Sequence, residues 1–299
     1  MVRILDLRFQ GAEQVIASFL LESKEGPILI ETGPESTYPH LAAALKAEGL
    51  APEEVRHVFV THIHLDHAGA AWRLAELGAR VYVHPKGAPH LVDPSRLLAS
   101  AERIYGEMLG PLWGELRGIP EQRVRVLADG EVVKVGGVEV QALETPGHAG
   151  HHHAYLVEGL VFAGDIAGVR IAPGPVLPPT PPPDIHLESW YVSIDRILAL
   201  RPEALYLTHF GAYRDVEPHL LTLREALEAW AGFVLSRMRE GLGPEEMTRR
   251  FETYWREGLA KAGVGGAGMR LYELADPPFM NLQGLVRYWQ KHHPEALEG

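Results

Sequence analysis

The chain has 299 residues, with 28 basic against 39 acidic side chains and a formal net charge of −11. At 46% hydrophobic and 22% charged it holds ample apolar surface to bury, which excludes disorder as its main state. The acidity is spread over both halves, which excludes a general nucleic-acid coat protein, and the lack of cysteine excludes disulfides, thiolate nucleophiles and Cys-ligated zinc.

The first half alternates short apolar runs with helical patterns. Val2–Phe9, Val15–Leu21, Ile28–Ile30 and Val55–Thr61 read as strands, and Pro39–Glu48 and Ala68–Leu77 as helices. Ala79–Val83 is a further strand. The segment Lys86–Pro120 is helix-like and carries Tyr105, Met108 and Trp113, which fits ordinary packing better than a pocket, although the segment also suits a cover over a site. Strands follow at Arg123–Leu127, Glu131–Val135 and Val138–Leu143, with Gly136-Gly137 as a hairpin turn between the last two. His153–Val157 and Leu160–Phe162 read as another hairpin. Ala172–Asp184 is rich in proline, which has no N–H to donate, so it is expected to be a stiff, extended loop. A helix at Leu187–Leu200 and a strand at Ala204–Leu207 follow at once, which argues against a mere domain linker.

After Asp215 the texture changes to helical patterns: Val216–Glu240, Pro244–Ala262 and at least one more. The sequence therefore predicts an α+β fold in two parts, a larger mixed domain over residues 1–214 and a small helical domain over residues 215–299 docked on it. The N-terminus lacks the long apolar stretch of a secretory leader, and no apolar run approaches about 18 residues. A cytoplasmic protein without membrane association is expected.

The chemistry gathers on histidine, of which there are 16. The strand ending near Val60 runs into Thr61-His62-Ile63-His64-Leu65-Asp66-His67-Ala68-Gly69. In extended backbone, residues two apart share a side, so His62, His64 and Asp66 can converge. His67 points elsewhere unless a helix starts there, so the string suits two neighbouring metal positions. Imidazole and carboxylate ligands suit zinc, manganese or iron. A cluster of surface histidines without metal is the weaker reading, because burying such groups unpaired is costly.

This string resembles the signature of the metallo-β-lactamase superfamily of metallo-hydrolases. Later segments resemble its other motifs in order: Glu144-Thr145-Pro146-Gly147-His148, Phe162-Ala163-Gly164-Asp165 and Leu207-Thr208-His209-Phe210-Gly211. The resemblance spans about residues 10–212. It implies a four-layer αββα sandwich with metals at one edge. It also implies one metal held by His62, His64 and His148, a second by Asp66, His67 and His209, and Asp165 bridging both together with a water or hydroxide. Two divalent ions, zinc foremost and manganese or iron as alternatives, would occupy these positions. Two such cations against two aspartates and a hydroxide leave the site at about +1, which attracts anions and favours a developing oxyanion. Asp66 is the candidate to hold the hydroxide and move its proton.

The chain departs from relatives at Ile30-Glu31-Thr32-Gly33, where they carry aspartate before Thr-Gly. Glu31 is expected to support the metal loop from behind the ligands, or to shift that loop. The Asp165 form, with no cysteine, points to the general hydrolase branch.

Weaker candidates for substrate contacts are Arg170 for an anionic group, Tyr213 for a carbonyl, and His186 and Tyr191 beyond the proline loop. His151, His152 and His153 fit supporting or core roles, His84 a structural one, and His292-His293 a solvated tail. The leading expectation is a metal-dependent hydrolase acting on a small ester, thioester or lactone, loosely similar to hydroxyacylglutathione hydrolases in its helical C-terminal part. A phosphodiesterase or ribonuclease of the same superfamily is an alternative, weakened by the acidity and by the 43 residues between Asp165 and His209, too few for a large insertion. A mononuclear iron dioxygenase is another, and a scaffold that keeps metals for structure is disfavoured. A small molecule is the expected partner, nucleic acid and membrane are not, and an apolar face on the helical tail would suit a homodimer.

Overall fold

Successive residues of the central strands face different cores. Leu29, Val58 and Val81 join one buried cluster, whereas their neighbours Ile30, Phe59 and Tyr82 join a second. This period of two is what a sheet covered on both faces requires. The computed structural model describes residues 1–298. Its first sheet runs β1 (Val2–Asp6), β2 (Ala17–Leu21), β3 (Ile28–Ile30), β4 (His57–Phe59), β5 (Arg80–Val83) and β6 (Val124–Val126), side by side in chain order. The β1–β2 and β2–β3 pairs are antiparallel and the remaining three parallel. Parallel neighbours need crossovers, and helices supply them: α1 (Tyr38–Ala47), then α2 (Leu65–Ala68) and α3 (Ala71–Glu76), then α4 (Ala88–Val92), α5 (Ser95–Tyr105) and α6 (Leu109–Trp113).

The second sheet holds β7 (Val132–Val135), β8 (Val138–Glu144), β9 (His153–Val157), β10 (Leu160–Phe162), β11 (Ala204–Leu207) and β12 (Gly211–Tyr213), again in order. Only β10–β11 is parallel, and α7 (Leu187–Leu200) makes that crossover. The sheets meet face to face through Phe19, Phe59, Tyr155 and Phe162. Phe59 stacks on Tyr82 at 4.2 Å and meets Tyr155 edge-on at 5.3 Å. Trp190 and Ile194 of α7 cover the outer face of the second sheet. The result is the αββα sandwich expected from the sequence.

Four helices follow: α8 (Val216–Arg239), α9 (Pro244–Lys261), α10 (Gly266–Ala275) and α11 (Pro278–His292). Their Leu220, Leu227, Phe251, Trp255 and Leu285 belong to the same cluster as Val161 and Leu205 of the second sheet. The helices are thus continuous with the sandwich core. Among the described residues, no helix is long and apolar enough to cross a membrane.

Several elements differ from expectation. The first strand stops at Asp6, because its carboxylate accepts from the N–H groups of Arg8 (2.9 Å) and Gln14 (2.7 Å) and turns the chain. The strand expected over Val55–Thr61 is confined to His57–Phe59. The helix expected over Ala68–Leu77 is two helices, the first starting at Leu65. Gly69 lies at their junction, where a Cβ would meet the Leu65 carbonyl oxygen at 2.4 Å. The Lys86–Pro120 stretch divides into α4, α5 and α6. Strand β12 was not anticipated, being only three residues long. The proline loop makes an antiparallel bridge, Val169 with Leu177, and is stitched to α10 through the Tyr272 hydroxyl, which donates to the Pro175 carbonyl at 2.6 Å.

Candidate metal centre

The candidate ligands all lie at strand ends or in the turns that follow. His62 and His64 follow β4, and Asp66 and His67 open α2. His148 sits between β8 and β9, Asp165 follows β10, and His209 joins β11 to β12. The α2 start brings the His67 ring to 4.0 Å from that of His62, with Asp165 within reach of both.

Two clusters of ligand atoms result. His62 Nε2 lies 2.9 Å from His64 Nδ1, which lies 3.0 Å from His148 Nε2. Asp66, His67 and His209 form the second group, with Asp66 Oδ2 at 3.4 Å from His209 Nε2 and 3.7 Å from His67 Nε2. Asp165 stands between the two. Its Oδ2 is 3.4 Å from His148 Nε2, and its Oδ1 is 3.3 Å from His67 Nε2 and 3.6 Å from His209 Nε2.

The rings are held from behind, and this fixes their tautomers. His148 Nδ1 lies 2.8 Å from the Pro179 carbonyl oxygen and His209 Nδ1 2.8 Å from that of Val15. A carbonyl only accepts, so both Nδ1 atoms carry hydrogen and both Nε2 atoms present lone pairs. His67 Nδ1 donates to Glu31 Oε1 at 3.1 Å. The Thr61 hydroxyl donates to the same carboxylate and accepts from His62 Nδ1 at 3.0 Å. Lone pairs from His62 and His148 therefore converge on His64 Nδ1, where either an N–H or a cation would meet them. His67 Nε2, His209 Nε2 and Asp165 Oδ1 are buried without a protein hydrogen-bond partner. These orphaned atoms and this donor set fit divalent metal ions.

Electrostatics agree. Burial holds His62 and His64 well below the usual imidazole range, so they stand neutral as ligands must. Burial also opposes charge on His67 and His209, yet Asp165 and Asp66 override it and raise both. A site that draws protons onto imidazole draws divalent cations for the same reason. Asp66 is lowered to about 2: burial works against this, and His67 and His209 outweigh it.

Glu31 is fully buried, with its backbone in the left-handed region at φ 65°. Beyond His67 and the Thr61 hydroxyl, it accepts from the Thr61 N–H at 3.3 Å, and the Thr208 hydroxyl lies 3.5 Å away. Thr61, Thr208 and the Val15 and Pro179 carbonyls escaped the sequence reading. Backbone carbonyls carry no residue signal, and isolated threonines carry little.

The weaker candidates have other partners. Arg170 pairs with Asp215 at 2.8 Å and lies over the Tyr213 ring at 4.4 Å. The Tyr213 hydroxyl donates to the Arg170 carbonyl at 2.6 Å. Only the Arg170 backbone reaches a ligand, its N–H donating to the His209 carbonyl at 2.6 Å. His186 caps α7, its Nδ1 accepting from the Ser189 N–H at 3.2 Å, and Tyr191 lies beneath Arg224 at 5.5 Å. His152 stacks on His62 at 5.0 Å, and His84 and His153 pack together at 4.6 Å. The tail is docked, not solvated: His293 Nε2 is 2.8 Å from Glu188 Oε1, and the His292 ring is 4.7 Å from that of His186. Trp113 packs between Phe9 at 5.4 Å and Tyr105 at 5.3 Å, and Met108 is exposed. Burial raises the Tyr105 phenol first, and the charge of Asp66 raises it further.

Fold and site together define a metallo-β-lactamase-type protein. The chain belongs to the metallo-beta-lactamase superfamily, which it matches over residues 12–209. A metallo-beta-lactamase family protein of Thermus thermophilus shares the fold with a TM-score of 0.71, over 97% of this chain and 93% of that one, at 21% identity. A metallo-beta-lactamase fold-containing protein of Sulfurisphaera tokodaii is 29% identical over 56% of this chain and 66% of its own length. A hydroxyacylglutathione hydrolase of Rhodopseudomonas palustris is 36% identical over 42% of this chain and 36% of its own. An atrochrysone carboxyl ACP thioesterase of Aspergillus fumigatus is 28% identical over 50% and 38%. The chain thus spans between 36% and 66% of the length of these curated relatives.

Proposed function

We propose that this protein is a metal-dependent hydrolase that cleaves a small ester, thioester or lactone, with two divalent cations, zinc foremost, at the paired clusters. The observation that carries the reading is the division of Asp165, one carboxylate oxygen facing each group of histidines. His62, His64 and His148 would hold one cation, Asp66, His67 and His209 the other. When bound, the pair would lower the pKa of a coordinated water to about 7 and polarise a carbonyl.

The chain's own residues divide the remaining work. The Asp66 side chain is 20% exposed against 5% for Asp165, so Asp66 is the carboxylate that meets substrate. It would hold the nucleophile by a hydrogen bond and help pass its proton toward the leaving group. Glu31, Val15 and Pro179 hold the rings. Residues 1–214 carry the chemistry, and residues 215–299 shape access to it. The relatives named as a thioesterase and as a hydroxyacylglutathione hydrolase support an acyl substrate, and the net charge of −11 disfavours nucleic acid.

The test is metal content of protein purified without added metal, for the wild type and Asp165→Ala, followed by an ester, thioester and lactone panel. About two equivalents of zinc or manganese, falling in the variant, with turnover of a panel member, is the expected result. About one equivalent of iron with oxygen uptake would replace this reading with an oxygenase. Turnover of model phosphodiesters or single-stranded RNA alone would replace it with a phosphodiesterase.

A further inference from the structure

Four histidines of the centre are held through Nδ1, and three of the holders belong to the sandwich: Thr61 for His62, Glu31 for His67 and Val15 for His209. The holder of His148 is different. Pro179 lies in the proline loop, and the peptide group that it shares with Thr180 is bonded at both ends. Its carbonyl accepts from His148 Nδ1 at 2.8 Å, and its N–H, on Thr180, donates to Asn281 Oδ1 of α11 at 2.6 Å. The Thr180 hydroxyl also donates to the Asn281 carbonyl at 3.2 Å. Thr180 and Asn281 are both fully buried.

The close approach is built into the sequence. A Cβ on Gly284, one turn beyond Asn281, would stand 1.9 Å from the Thr180 carbonyl oxygen, so only glycine lets α11 seat against the loop.

We propose that Asn281 is a positioning residue for the metal ligand His148. It acts through the Pro179–Thr180 peptide group, so the helical C-terminal part sets the strength of the first metal position. Hydrogen bonds in series polarise one another, and a ring that donates from Nδ1 to a fixed acceptor is a more basic, better-aimed ligand at Nε2. This inference rests on the assignment of His62, His64 and His148 to one cation.

The experiment measures zinc binding by competition with a chromophoric chelator, and the absorption spectrum of the cobalt-loaded protein, for the full chain and its variants. Asn281→Ala is expected to weaken one of the two binding steps by about 10–100-fold and to change the cobalt bands of that step, leaving the other step intact. Arg287→Ala removes another α11–loop bond, from Nε to the Pro183 carbonyl at 3.3 Å, without touching the path to His148. It is expected to bind both metals as the wild type does. Should Asn281→Ala fail to fold, Asn281→Leu keeps the side chain's volume but offers the Thr180 N–H no acceptor, and is expected to weaken the same step. Wild-type binding at both steps with no change in the Asn281 variants, or an equal loss in Arg287→Ala, would overturn the clamp alone. A wild type that binds no metal would overturn the centre and the clamp together.

Discussion

Glu31 Oε1 lies 3.1 Å from His67 Nδ1, at the end of β3, while the same carboxylate takes the hydroxyl and N–H of Thr61. One buried acid thereby fixes a ligand of the second cluster and the residue preceding His62 of the first. The Glu31 side chain reaches the ligand loop from a backbone in the left-handed region at φ 65°. Such a conformation costs of order 1 kcal/mol in a non-glycine residue and persists where surrounding contacts over-determine it.

Replacing Glu31 by Gln keeps the shape but turns one acceptor oxygen into a donor. Either His67 or Thr61 then faces an N–H, and the negative charge that favours cations in both clusters is gone. Glu31→Gln is expected to lower affinity for the second metal by about 10–100-fold and to lower Tm. Chelator competition and thermal unfolding check this; unchanged affinity would remove Glu31 from the support of the centre.

Acid should unfold the metal-free protein earlier than carboxylates alone dictate. Burial lowers His153 to about 3 and His219 to about 4 from an ordinary 6.5. Between those values and 6.5 the unfolded chain binds protons that the folded chain refuses. Stability is therefore full above 6.5 and falls as pH drops, by about 1.4 kcal/mol per pH unit for each such ring. His219 Nε2 is 2.7 Å from the Ala167 carbonyl, with Arg170 and Asp215 beside the ring. His219→Gln keeps an N–H donor and cannot titrate. Its stability is expected to fall less steeply between pH 6.5 and 4 in urea titrations of chelator-treated protein.

Gly147 precedes His148 with φ 145°, and a Cβ there would lie 2.4 Å from the Trp190 Cα of α7. The obstacle is backbone, which cannot swing aside. Gly147→Ala must move α7 or the His148 turn. It is expected to cost about 2–4 kcal/mol in denaturant unfolding and to weaken the first metal position. An alanine variant with wild-type stability would show that the turn tolerates displacement.

Much of this was legible in the sequence because the chemistry is local and repeats a known order. His62, His64, Asp66 and His67 sit in one string, and His148, Asp165 and His209 each lie within a short distinctive turn. The strands were legible because Leu29, Val58 and Val81 alternate with residues facing the other core. What was not legible depends on contacts far apart in the chain. Thr180 meets Asn281 across 101 residues, and His209 meets the Val15 carbonyl across 194. No periodicity announces such pairs. Strand β12 exists because β11 offers it an edge, and Arg170 lies over the Tyr213 ring. Charge and proximity in sequence say nothing of where a side chain turns.

Tyr105 is a side chain to test for a part in the proposed acyl chemistry. It ends α5, its ring held edge-on by Trp113 at 5.3 Å, and Trp113 in turn stacks on Phe9 at 5.4 Å. Burial, then the charge of Asp66, raises the phenol, so its hydroxyl stays protonated and able to donate. The best use of such a donor is the oxygen that gains charge as the carbonyl is attacked, or the departing group. Tyr105→Phe removes only the hydroxyl and leaves the ring packing. It is expected to bind both metals as the wild type does, to unfold at the same temperature, and to lower kcat by about tenfold or more with KM little changed, which is the pattern of an interaction made in the transition state. Steady-state kinetics on whichever acyl substrate the panel yields decides it. A rise in KM alone would make Tyr105 a substrate-binding residue, and unchanged kinetics would confine it to packing on Trp113.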